Sequence, residues 1–109
     1  MDRLDPHNHV KLRAYKERLA EHIRIQHLIL FGSRARGDPE PESDYDLIVV
    51  SEDFDGVPFL KRPLPCYEEW DYASLSNGAD ILCYTPAEYE QKLRGINVVA
   101  TAAKEGVEI

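Results

Sequence analysis

Ile25-Gln26-His27-Leu28-Ile29-Leu30-Phe31-Gly32-Ser33-Arg34-Ala35-Arg36-Gly37, followed after six intervening residues by Asp44-Tyr45-Asp46-Leu47-Ile48-Val49-Val50, decides how this chain folds. Residues 25–31 are a short apolar run, partly β-branched, that ends at a glycine and reads as a buried strand. From Gly32 to Ser43 the chemistry is that of a turn, with two glycines, two prolines and small or charged residues between them. Tyr45 to Val50 then reads as a second strand.

Working outward, Asp5-Pro6 is a helix start, with the carboxylate as cap and proline at the first helical position. Leu12, Tyr15, Leu19 and His22 or Ile23 recur at three- and four-residue steps, which predicts an amphipathic helix over about residues 6–22. Residues 51–75 carry prolines at 58, 63 and 65 that break any long helix, although Tyr67-Glu68-Glu69-Trp70 can begin a short one. Asn77-Gly78 signals a turn, and Ala79 to Tyr84 is a third strand. Thr85, Pro86 and Glu88 supply cap, first position and capping-box acid for a helix running to about Arg94. A last helix covers Val98 to Lys104 and is closed by Gly106. Helix, strand, strand, strand, helix, helix is an α/β or α+β pattern with one sheet covered by helices. No repeat, linker or low-complexity stretch interrupts residues 1–109, which read as one domain.

The net charge of −7 argues against broad attraction to a nucleic-acid backbone, so no direct nucleic-acid binding is expected. It leaves room for a small polyphosphate ligand, because magnesium can bridge acidic side chains to phosphate oxygens. No long apolar run or signal-like segment is present, so no membrane association and a cytoplasmic location are expected. Cys66 and Cys83 are too few and too far apart in sequence for a disulfide framework or a zinc knuckle, and Cys83 reads as a small core residue. His7, His9, His22 and His27 have no metal-ligand spacing of the metalloprotease kind and read as surface or helix-packing residues.

Three features align. A strand runs straight into Gly32-Ser33-Arg34-Ala35-Arg36-Gly37; Asp44-Tyr45-Asp46 enters the second strand; Asp80 lies near the start of the third. Gly32 lets the backbone turn sharply and approach a ligand closely. Ser33 offers a hydroxyl and an amide to a phosphate oxygen, and Arg34 or Arg36, with Arg36 preferred, adds a guanidinium suited to phosphate. Asp44 and Asp46 are two apart in an extended chain, so their carboxylates share one face while Tyr45 points the other way. Adjacent carboxylates repel, and a divalent cation resolves the repulsion. Asp80 on a neighbouring strand supplies a third carboxylate, as a metal ligand or as the acceptor of a proton. Asp71 is its rival, in a setting less like a strand. Trp70, Tyr67 and Tyr72 form an aromatic cluster that serves core packing or a partner interface, with stacking on an adenine as the alternative.

Gly32-Ser33, ten intervening residues, then Asp44-x-Asp46 resembles the signature of the DNA polymerase β-like nucleotidyltransferase superfamily. The Gly-Ser-Arg-Ala-Arg-Gly turn is most similar to the minimal, antitoxin-type branch whose partners are helical HEPN proteins. The resemblance implies a mixed β-sheet flanked by helices, with Mg2+, one ion or two, and ATP as ligands. It also implies transfer of AMP to a hydroxyl, often a tyrosine of the HEPN-type partner. By the same resemblance Gly32 and Ser33 hold the triphosphate, and Asp44, Asp46 and Asp80 are the catalytic and metal-binding acids.

Two other readings compete. The same fold can serve as a binding module without turnover, or as an enzyme on a small hydroxylated molecule of the aminoglycoside-modifying kind. Those enzymes carry an added helical substrate domain, so here the acceptor site is expected to be completed by a partner or a second copy. A P-loop is excluded, since Asp38-Pro39 stand where lysine and serine or threonine are required.

Overall fold

The computed structural model describes residues 6–36 and 44–109, without the side chains of residues 6–8. The cap read at Asp5 and the turn chemistry of residues 37–43 lie outside the described residues.

The first helix, α1 (Pro6–Leu19), buries Leu12, Tyr15 and Leu19 completely, as their spacing requires. It ends three residues earlier than the sequence pattern implies. The amides of Glu21 and His22 reach back only to the carbonyls of Arg18 and Leu19, and this tightened turn closes the helix. The strand β1 (His27–Phe31) likewise begins two residues into its apolar run. The Gln26 amide still donates to the Val50 carbonyl at 2.8 Å, while its side-chain oxygen accepts from the Glu52 amide at 3.0 Å, so regular pairing gives way there to side-chain contacts.

A one-turn helix, α2 (Ser33–Arg36), follows at once, and β2 (Tyr45–Val50) returns antiparallel to β1. Two 3-10 turns (Glu52–Phe54 and Phe59–Lys61), α3 (Leu64–Glu68) and α4 (Tyr72–Leu75) form the crossover to β3 (Ala79–Tyr84), which runs parallel to β2. The chain closes through α5 (Pro86–Leu93), α6 (Val98–Glu105) and β4 (Val107–Glu108), which adds antiparallel to β1. The sheet is mixed, in the order β3-β2-β1-β4, and helices flank it. The two-residue β4 is too short to carry a periodic signal, so the sequence pattern misses it.

Both faces of the sheet are packed. On one, Leu28, Leu30, Leu47, Val49, Ile81 and Cys83 meet α1, Cys66 and Trp70. On the other, Ile29, Ile48 and Val50 meet Tyr89 of α5 and Val99 and Ala102 of α6. Each fully buried aliphatic side chain contributes about 1.5–3 kcal/mol, so β2, buried from Leu47 to Val50, is the spine of the molecule.

The crossover is held by side chains rather than by regular structure. Arg62, only 8% exposed, donates to the Val57 carbonyl (2.9 Å), the Cys83 carbonyl (3.3 Å) and both Glu88 carboxylate oxygens (2.6 and 3.3 Å). Tyr67 lends its hydroxyl to the Ile81 amide at 3.3 Å. These two residues cover the outer edge of β3, which would otherwise offer unpaired backbone groups. Cys66 and Cys83, distant in sequence, lie with sulfurs 3.9 Å apart as free, buried thiols.

Candidate active site

Tyr45 sets the site. Its ring, 1% exposed, is driven into the α1 face of the sheet, where Trp70 meets it at 5.4 Å with the ring planes at 61°. The Arg34 guanidinium lies over the ring, 4.6 Å from its centroid. Strand alternation then directs Asp46 to the opposite face. This stacking also explains why Arg34 serves the core, whereas Arg36 is exposed beside the carboxylates.

Asp46 is where the elements converge. It pairs in register with Phe31 of β1 on one side and with Asp80 of β3 on the other. Cross-strand partners share a face, so the Asp46 and Asp80 side chains project together. Gly32 follows Phe31 with φ +75°, a left-handed conformation that glycine adopts without cost. A Cβ at Gly32 would collide with the Asp46 carboxylate, so the bare backbone of the turn lies directly against the acid. Burial pushes the Asp46 carboxyl above its ordinary value, and the negative charges of Asp80 and Asp44 push it further; Arg36 partly offsets them.

Asp44 stands one residue before β2, exposed. Its Oδ1 lies 3.5 Å from the point a Cβ would occupy on Gly78, just before β3. The Tyr45 amide donates to the Gly78 carbonyl at 2.9 Å, and the Trp70 indole donates to the Asn77 carbonyl at 2.8 Å. The core thereby fixes where β3, and with it Asp80, begins. Ser33 is the first residue of α2, half-buried beside Gly32. Arg36 joins Phe31, Gly32, Val98, Thr101, Ala102 and Glu105 around a cleft of about 130 Å³ between the turn and α6. A larger cleft of about 670 Å³, lined by Phe59, Tyr84, Glu88, Gln91, Lys92 and Asn97, sits at the far end of β3 and shares no residue with the carboxylates.

Of the residues read from sequence, Gly32, Asp46 and Asp80 thus come together, with Asp44 and Arg36 acting on Asp46 through their charges. Asp71, the rival to Asp80, caps α4 by accepting from the Ser74 amide at 3.1 Å. Trp70 is core. Gly78, which lies beside Asp44, was not read as a site residue, although Asn77-Gly78 marks the turn that brings it there; Tyr72, read as core packing or a partner interface with adenine stacking as the alternative, lies against the same glycine.

A glycine turn leading into a short helix, set against paired carboxylates on adjoining strands, is the arrangement of a nucleotidyltransferase. The family described as "Polymerase beta, Nucleotidyltransferase" matches residues 14–98, and the chain belongs to that family. A Methanocaldococcus jannaschii protein named "Putative protein adenylyltransferase" is 57% identical over 35 residues, which are 31% of this chain and 35% of that protein. The match therefore spans about a third of the length of that relative. A crystal structure titled as "a putative nucleotidyltransferase from Sulfolobus solfataricus" superposes with a TM-score of 0.60 at 21% identity, over 89% of this chain and 74% of that one. That likeness is one of fold.

The family implies a nucleotide and a divalent metal, and the donor set here suits such a metal. Among the described residues no three His, Cys, Asp or Glu side chains form a cluster that would hold a metal ion unaided. Magnesium seldom uses an all-protein cage; one or two carboxylates with substrate phosphate oxygens and waters are its usual sphere. Asp46, whose charge is disfavoured by its neighbours, is the acid such an ion would relieve most. Among the described residues no helix is long and apolar enough to cross a membrane.

Proposed function

We infer that this domain transfers AMP from ATP to a hydroxyl acceptor with the help of magnesium, and that the acceptor is a tyrosine on a HEPN-type partner protein. The observation that carries the reading is the register of Asp46 with Asp80, with the Gly32 turn pressed against Asp46. Gly32 and Ser33 receive the triphosphate, since a turn without a Cβ admits phosphate close to the backbone. Asp44 and Asp46 hold the metal, which when bound neutralises triphosphate charge. Arg36 adds positive charge on the same side. Asp80, exposed on the strand beyond, accepts the proton of the attacking hydroxyl. The acceptor oxygen bonds to the α-phosphorus, the bond to the bridging oxygen breaks, and pyrophosphate leaves. The relative named as a protein adenylyltransferase supports a protein acceptor over a small molecule.

The test is incubation with magnesium and ATP labelled at the α-phosphate, with and without the protein encoded beside this one. The Asp44→Ala, Asp46→Ala double variant serves as control. Label on the neighbour, absent with the variant, is the expected result. ATP binding with no transfer to any acceptor would replace this reading with a non-catalytic binding module.

A further inference from the structure

The chain has six tyrosines, and five are committed elsewhere. Tyr15 is fully buried and donates to the Cys66 carbonyl at 2.7 Å. Tyr45 and Tyr89 are buried in the two cores. Tyr67 places its hydroxyl on the Ile81 amide, and Tyr84 lies against Phe59 at the far end of β3, 5.6 Å between ring centroids. Tyr72 differs in both exposure and place. It is 59% exposed, the most open tyrosine among the described residues.

Its ring reaches the carboxylate end of the sheet. Tyr72 Cε1 lies 3.6 Å from the Cβ position of Gly78, and Asp44 Oδ1 lies 3.5 Å from that same point. Ring edge and carboxylate therefore flank the same bare α-carbon, where Gly78 puts no side chain of its own. The helix bearing Tyr72 is pinned at both ends. Asp71 caps its start, and Lys11 of α1 donates to the Ser74 carbonyl at 2.7 Å. The sheet order puts the Gly32–Ser33 turn on the β1 side of the carboxylates and Tyr72 on the β3 side. Triphosphate and tyrosine would thus approach Asp44 and Asp46 from opposite sides, as in-line attack on phosphorus requires.

We propose that Tyr72 is a self-modification site: its own hydroxyl takes an adenylyl group from a nucleoside triphosphate bound at the neighbouring carboxylates. The inference rests on the nucleotidyl-transfer reading above. The Tyr72 hydroxyl oxygen bonds to the α-phosphorus while the α-phosphorus bond to the pyrophosphate oxygen breaks. The phenolic proton passes to Asp80, two residues beyond Gly78 on the same segment, and pyrophosphate leaves with the displaced electron pair. The product is a tyrosyl phosphodiester that occupies the acceptor side and blocks further transfer.

The purified full chain, incubated with ATP and magnesium, is analysed by intact mass and peptide mapping, with pyrophosphate release followed in parallel. One adenylyl group per chain, mapped to Tyr72, is expected, at a rate per chain independent of protein concentration. Tyr72→Phe, which keeps the ring and removes the nucleophile, loses the label completely, whereas Tyr84→Phe keeps it. Pyrophosphate release that is lost in Asp46→Asn but leaves Tyr72 unlabelled overturns the self-modification and spares the transfer reading. Absence of both release and label from the chain alone overturns the self-modification, while label on the neighbouring protein in the assay above upholds the transfer reading. Label on Tyr72 at a rate rising with protein concentration assigns the transfer to a second copy and overturns the geometry argued here.

Discussion

Replacing Gly32 with alanine separates backbone strain from damage to the site, because Gly56 supplies a matched control. Both glycines have left-handed backbones, φ +75° and +78°. A Cβ at Gly56 meets nothing within 4 Å, whereas at Gly32 it collides with the Asp46 carboxylate. A non-glycine residue in this conformation costs about 1–2 kcal/mol. The alanine chain loses less entropy on folding, which offsets about 0.4–1 kcal/mol of that. Gly56→Ala should therefore destabilise by about 1 kcal/mol. Gly32→Ala pays the same strain plus an overpacking cost of about 1–3 kcal/mol, for a total of about 2–4 kcal/mol. At about 4 °C of midpoint shift per kcal/mol, the two separate clearly in thermal or urea denaturation. In an Asp46→Ala background the excess cost of Gly32→Ala should vanish, since the clash is with that side chain. Transfer activity should fall in Gly32→Ala and persist in Gly56→Ala. Equal destabilisation by the two substitutions, or full activity in Gly32→Ala, would refute the claim that the turn is built against Asp46.

Two further outcomes follow from the same contacts. The Asp46 carboxyl is raised above its ordinary value of 3.8, so the folded state binds that proton more tightly than the unfolded chain. The resulting stability is fully present below the ordinary value and is lost as pH rises through the raised one; Asp46→Asn should abolish this loss, read as urea midpoints from about pH 3 to 8 without metal. Arg62→Ala leaves the buried Cys83 carbonyl without its side-chain donor and Glu88 with the Thr85 amide alone, and should destabilise by about 2–4 kcal/mol by urea titration, whereas an unchanged midpoint would remove its role at the β3 edge.

The parts of the site legible in the sequence are those set by local geometry. Asp44-x-Asp46 on an extended chain and a glycine at a strand end need only their neighbours to be read. The cap, proline and acid of Thr85, Pro86 and Glu88 reappear as a capping box for the same reason. Asp80 was legible as a candidate, but its register with Asp46 depends on parallel pairing across the whole crossover, which no local pattern encodes. Residues 51–75 were opaque because their order comes from Arg62, Trp70 and the Asp71 cap, each acting on a distant or irregular segment. The approach of Cys66 to Cys83 is hidden for the same reason, as is that of Tyr72 to Gly78.

The most direct measurement of the central claim is calorimetric titration of a non-hydrolysable ATP analogue into the wild-type chain and into Asp46→Asn and Asp80→Asn, each with and without magnesium. The account predicts magnesium-dependent binding to wild type, loss of that dependence in Asp46→Asn, and retained binding in Asp80→Asn, whose transfer from ATP itself, followed with the α-phosphate label, is abolished. Binding by Asp46→Asn that matches wild type in strength and magnesium dependence would contradict it.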